Sequence, residues 1–119
     1  MSDNVIYLIL EAKTPEVYKV FADYGWNINS YTDDKKTILA HAVANLPVEY
    51  VKTLIELGAD IDCRDNEGKT PLMRLISNLQ WHLPDPLQKL KLLLDYGADI
   101  FAVDNNGKNA LGEYIKQEC

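Results

Sequence analysis

Cysteine, histidine and positive charge are all scarce in this chain of 119 residues, and each shortage closes off a class of function. The two cysteines, Cys63 and Cys119, have no pairing pattern, so they are expected to be free thiols in a reducing compartment. The two histidines, His41 and His82, are scattered, whereas a metal centre needs ligands at short helical or turn spacing. A dyad such as Cys63 with His41 belongs to no recognisable catalytic motif, so no enzyme activity and no cofactor are expected. Lysine and arginine number 12 against 18 acids, a net charge of -6, which disfavours nucleic acid because a duplex must be met by a basic patch. The same charge fits a basic protein partner, or plain solubility. Long apolar runs are missing too. Val5 to Leu10 is too short for a membrane span, and Met1-Ser2-Asp3-Asn4 carries no basic leader, so a cytoplasmic protein is expected.

What is present is a repeat. Gly25, Gly58 and Gly97 each close an apolar helix-like run, and are followed by Trp26-Asn27-Ile28-Asn29, Ala59-Asp60-Ile61-Asp62 and Ala98-Asp99-Ile100-Phe101. The glycines are spaced 33 and 39 residues apart. Thr37-Ile38-Leu39, Thr70-Pro71-Leu72 and Asn109-Ala110-Leu111 keep the same two spacings. Two markers in step fix the period and place a six-residue insertion in the third unit.

Each unit reads physically as hairpin, helix, helix. Thr37, Thr70 and Asn109 can cap a first helix, and Pro71 follows Thr70 where a missing N–H costs nothing. Leu39, Ala42 and Val43, then Leu72, Leu75 and Ile76, then Leu111, Tyr114 and Ile115 mark one buried face at helical spacing. The second helices turn Val51, Leu54 and Ile55, or Leu90, Leu93 and Leu94, inward. Gly58 and Gly97 end them as left-handed caps. Asp65-Asn66-Glu67-Gly68 and Asp104-Asn105-Asn106-Gly107 are turn sequences, and this role of Asp65 outweighs a calcium reading of Asp60, Asp62, Asp65 and Glu67.

The run Gly58-Ala59-Asp60-Ile61-Asp62 with Asp65-Asn66-Glu67-Gly68-Lys69-Thr70-Pro71-Leu72 resembles the ankyrin repeat, whose length is about 33 residues. The resemblance covers nearly the whole chain. It is degenerate in the first half, where Trp26-Asn27 replaces Ala-Asp and Asp34-Lys35 replaces the turn glycine. It implies an all-α solenoid of helix-turn-helix pairs joined by β-hairpin-like fingers. The units are then residues 1–30, 31–63, 64–102 with the insertion near 81–86, and a half unit 103–119. In the first unit Asn4 is the cap, Val5 to Ala12 the first helix and Pro15 to Tyr24 the second. In the last, Asn109 to Gln117 is the single helix. A unit cannot bury its own face, so stacking supplies the stability.

The resemblance also implies protein binding on the face made by finger tips and first helices. The tip positions are Tyr31, Arg64 and Val103, followed by Asp33 and Asp34, Asn66 and Glu67, and Asn105 and Asn106. The exposed first-helix positions are His41, Arg74 and Glu113, with Ala44, Ser77 and Lys116 one turn on. Arg74 is expected to meet either a partner carboxylate or its own Glu67 or Glu113. Phe101, standing where other units carry Asn29 and Asp62, is either partner-facing or packed beneath the fourth unit. Trp81 in the insertion is a second candidate anchor, unless it folds back over Leu79 and Leu83.

Acidic chains of this size and resemblance are similar to bacterial immunity proteins, which neutralise a basic toxin. A regulatory or adaptor role is the alternative, and a small-molecule binder or enzyme would need a deep cleft lined by His41, Arg74 and Glu113. A monomer or weak dimer is expected, with Cys119 able to crosslink two chains under oxidation.

Overall fold

The structure, a computed structural model, describes residues 14–31, 35–77 and 85–112. Within them lie five helices: α1 (Glu16–Asp23), α2 (Ile38–Asn45), α3 (Val48–Glu56), α4 (Pro71–Ser77) and α5 (Pro86–Asp95). Among the described residues there is no strand; an antiparallel bridge joins Tyr31 and Thr37 at the base of a finger. The expected first helix at Val5 to Ala12 with its cap Asn4, the heart of the insertion (residues 81–84) and the end of the fourth unit (residues 113–119) lie outside the described residues.

The helices begin and end where local chemistry dictates. Thr37 is extended and its Oγ1 accepts the Ala40 N–H at 3.3 Å; Thr70 Oγ1 does the same for Met73 N–H at 3.3 Å. Such a cap contributes about 1 kcal/mol over alanine. At the other ends, Gly25, Gly58 and Gly97 have φ of +97°, +101° and +89°. The N–H that follows each one turns back to the helix, Trp26 to the Phe21 carbonyl, Ala59 to Leu54 and Ala98 to Leu93, at 2.9–3.0 Å. The glycine's own N–H bonds three residues back, completing a left-handed cap in three copies.

The capped helices stack in two layers. An inner layer holds α2 and α4, in contact with each other, and an outer layer runs α1, α3, α5, each touching the next. Between the layers lie Leu39, Val43, Val51, Leu54, Leu72, Leu75 and Leu93, all fully buried or nearly so. Each such side chain contributes about 1.5–3 kcal/mol by leaving water. The degenerate first half is filled differently. Trp26, at the position of Ala59 and Ala98, packs with Tyr18, ring centroids 6.4 Å apart, and Tyr18 in turn meets Tyr50 at 5.9 Å. Lys35, at the position of Gly68, still takes a left-handed backbone, φ 58°.

Two expectations fail at the C-terminal end. Leu94 is not inward but 43% exposed, whereas Ile55, at the same place in the preceding repeat, is partly buried against the core. Leu111 is likewise exposed, and residues 110–112 form a turn where the sequence predicts the start of a helix. Asn109 Oδ1 accepts the Leu111 N–H at 3.0 Å, its carbonyl accepts the Gly112 N–H at 3.0 Å, and Gly112 is left-handed at φ +82°. At residues 110–112 this local asparagine turn takes the place of the expected helix start.

Candidate interaction surface

The fingers are built by aspartates that bend the chain around their own carboxylates. Asp65 Oδ1 accepts the N–H groups of Glu67 and Lys69 at 2.8 Å and 3.0 Å, and Gly68 N–H bonds the Asp65 carbonyl at 2.9 Å. Asp104 repeats the arrangement with Asn106 at 2.8 Å and Lys108 at 3.1 Å. The side chains of Asn66, Glu67, Asn105 and Asn106 are thereby left at two exposed tips.

Adjacent fingers are locked together. The Asn105 N–H donates to the Glu67 carbonyl at 3.1 Å, and Asn105 Nδ2 reaches the Asn66 carbonyl at 3.4 Å. Arg64 Nη1 donates to the Gly68 carbonyl at 3.1 Å and to the Val103 carbonyl. Arg64 and Val103, expected at the tips as contact residues, therefore also tie one finger to the next. A parallel ladder joins the loops before the fingers. Asn29 Oδ1 accepts the Asp60 N–H at 2.7 Å, and Asp62 Oδ1 accepts the Asp99 N–H at 3.0 Å. Phe101 occupies the next rung. It has no acceptor to continue the ladder, and its ring is 73% exposed.

Arg74 is engaged within the chain. Its Nε donates to Asp65 Oδ2 at 2.6 Å and its Nη2 to Glu67 Oε1 at 2.9 Å, so the second of its two expected roles is realised, with Asp65 as an added partner. Burial raises the Asp65 pKa, but the Lys69 amide, the Arg74 side chain and the Glu67 amide outweigh it and hold the carboxyl below its ordinary range. The Arg74 guanidinium thus lies between tip and inner helix, presenting a neutralised edge rather than a free cation.

His41 lies on α2 in the matching position, half-buried, with Nδ1 3.3 Å from Asn45 Nδ2. Burial, and then the positive charge of Lys36, hold its pKa below 6.5, which keeps the imidazole neutral at pH 7. Ser77 is exposed, its hydroxyl donating to the Arg74 carbonyl at 3.2 Å. Tyr31, at the N-terminal edge, is 53% exposed. Asp33, Asp34, Trp81 and Glu113 lie outside the described residues.

The structure thus brings Asn66, Glu67, Arg74, Asn105 and Asn106 close through bonds, and sets Tyr31 and Phe101 apart as exposed rings. A hollow of about 330 Å³ between α4 and the fourth finger is lined by Lys69, Met73, Ile76, Ser77, Asp104 and Lys108, among others, and by neither His41 nor Arg74. Among the described residues no three His, Cys, Asp or Glu side chains converge as metal ligands. Cys63 is buried with its Sγ 3.0 Å from Thr37 Oγ1; burial raises its pKa more than that bond lowers it, which keeps it a thiol. None of the described helices is long and apolar enough to cross a membrane. The finger-to-finger bonds of Arg64 escaped sequence reasoning, because only the 39-residue register places its guanidinium beside Val103.

Comparison with known sequences adds a family to this geometry. A sequence model of ankyrin repeats, in three copies, matches residues 5–104. An ankyrin repeat protein of Acanthamoeba polyphaga mimivirus is 38% identical over 58 residues, covering 49% of this chain and 8% of that protein. A potassium channel of Oryza sativa subsp. indica is 33% identical over 75 residues, covering 63% of this chain and 8% of the channel. The chain therefore spans less than a tenth of the length of these relatives.

Proposed function

Because the chain belongs to the ankyrin-repeat family, we propose that it is a non-enzymatic module that binds another protein through its finger tips and the adjoining face of α2 and α4. The observation that carries this reading is the rigid pair of tips. A backbone bond from Asn105 to Glu67 and side-chain-to-backbone bonds from Arg64 to Val103 and from Asn105 to Asn66 fix the fingers, so Asn66, Glu67, Asn105 and Asn106 are presented without a large ordering cost on binding. Tyr31 and Phe101 supply amphipathic and apolar rings at two edges of such a face, the kind of side chain that anchors an interface.

The net charge of -6 favours a basic partner. The narrower role of an immunity protein, covering a basic toxin in a tight 1:1 complex, rests on that charge together with the exposed tips. A tagged pull-down with mass spectrometry tests both levels. One stoichiometric basic partner supports the narrower role, several substoichiometric partners support an adaptor, and no protein partner at all removes the binding reading. With the partner in hand, Tyr31→Ala combined with Phe101→Ala should weaken binding about ten-fold or more, as loss of anchor residues does. Unchanged affinity there, with a loss in Trp81→Ala, would move the interface to the insertion.

A further inference from the structure

The turn between α2 and α3 cannot cap itself. Pro47 occupies it, and proline has no N–H. In a continuous helix the N–H at position 47 would be the donor to the Val43 carbonyl, but the chain leaves the helix at Leu46, which is extended. On the other side α3 begins at Val48 with Pro47 as its N-cap, and no side chain of its own caps it. The Val43 carbonyl and the Val48 amide are thus helix-end groups in need of outside partners, five residues apart across one turn.

Both partners come from the next repeat. Asp85 Oδ2 accepts the Val48 N–H at 3.0 Å, and Lys89 Nζ donates to the Val43 carbonyl at 2.9 Å. The signs match the helix dipoles, a carboxylate at the start of α3 and an ammonium at the end of α2. Lys89 is fully buried, at the place in α5 that corresponds to Tyr50 in α3. Asp85 holds a left-handed backbone, φ 52° and ψ 49°, just before Pro86. A buried lysine and a left-handed non-glycine residue are each unfavourable in isolation. Here both occur one helical turn apart, and both reach the same turn of the neighbouring repeat.

We propose that Asp85 and Lys89 form a clasp between repeats, supplying the caps that Pro47 denies, so that α2, α3 and α5 open as one unit. The clasp is a conformational device. It holds α2, the helix that carries His41, in register with the next repeat, whose finger carries Asn66 and Glu67. Asp85 and Lys89 are positioning residues in this role and need not touch any partner.

Native-state hydrogen exchange of the whole chain tests the proposal at named amides. Val48 reports the carboxylate arm, and Asn45 with Leu46 in the last turn of α2 report the ammonium arm. Asp85→Gly removes the carboxylate without straining the left-handed backbone. It should speed exchange at Val48, and also at Asn45 and Leu46, by about ten-fold, the scale of one charged hydrogen bond. Asp85→Asn keeps an acceptor and tolerates the same backbone, so protection should largely persist. Lys89→Met keeps the apolar stem, should speed the same amides, and combined with Asp85→Gly should add little to the larger single effect. Faster exchange confined to α5, or a double variant equal to the product of the two singles, would overturn the clasp. If Lys89→Met fails to fold, the comparison of Asp85→Gly with Asp85→Asn still decides.

Discussion

Replacing Gly68 by alanine should be far more damaging than replacing Gly97, although both glycines are left-handed. Gly68 has φ +76° and Gly97 φ +89°, so an added Cβ costs each about 1–2 kcal/mol in backbone strain. Around Gly97 nothing lies within 4 Å of that Cβ. At Gly68 it would meet Asn105 Oδ1 at 2.3 Å, Asn105 Cγ at 2.9 Å and the Asn105 backbone N at 2.9 Å. The side chain can swing away. The backbone nitrogen cannot, because its N–H is bonded to the Glu67 carbonyl at 3.1 Å, one residue from the substituted position. Relief therefore requires the fourth finger to move and that bond to stretch, an overpacking cost of about 1–3 kcal/mol beyond the strain. Gly68→Ala should then lose about 2–5 kcal/mol and Gly97→Ala about 1–2 kcal/mol. For a chain of this size that is a Tm loss of roughly 8–20 °C against roughly 4–8 °C. Urea unfolding followed by circular dichroism gives the same comparison from the midpoint at unchanged slope. Equal losses for the two variants would refute the finger-to-finger contact at Gly68.

Other outcomes follow from the capping and charged groups. Thr70→Val keeps the buried shape and removes the acceptor for the Met73 N–H, so it should cost about 1 kcal/mol by thermal melting, with Thr70→Ser near wild type. The Asp65 carboxyl titrates below its unfolded value of 3.8, so its contribution is complete above that pH and is lost as pH falls through the lower folded value. Asp65→Asn should therefore flatten the acid limb of the stability curve. His41 also titrates low, below 6.5, so the folded chain binds fewer protons than the unfolded one just below that pH, and stability drops as pH falls through this window. Its imidazole signal in proton NMR should titrate with a midpoint under 6.5; a midpoint above it would contradict the burial described for α2.

The repeat was legible because glycine and threonine positions act locally. The left-handed φ of Gly58 and Gly97 and the Thr37 and Thr70 caps depend on a few neighbouring residues, and appear as the sequence predicts. Side chains that act across repeats were harder to read. Arg74 could be placed beside Glu67 from spacing, but not bridging Asp65 as well. Lys89 reads as one more solvated lysine of a helix with leucines on either side, and only stacking turns it inward to Val43. Leu94 and Leu111 were misplaced because periodicity fixes a helix face without saying whether a neighbour covers it. Phe101 is the opposite case. Its departure from Asn29 and Asp62 was visible in the alignment of units, and the structure shows a ring exposed at the end of a polar ladder.

Lysine crosslinking of the complex recovered with the tagged chain shows whether a partner sits on the finger face. Lys35, Lys36 and Lys69 belong to fingers, whereas Lys19, Lys52 and Lys91 stand exposed on the outer helices α1, α3 and α5. Crosslinks to the partner concentrated on Lys35, Lys36 and Lys69 are the expected result. Crosslinks concentrated on Lys19, Lys52 and Lys91 would place the partner on the opposite layer and rule out binding at the fingers.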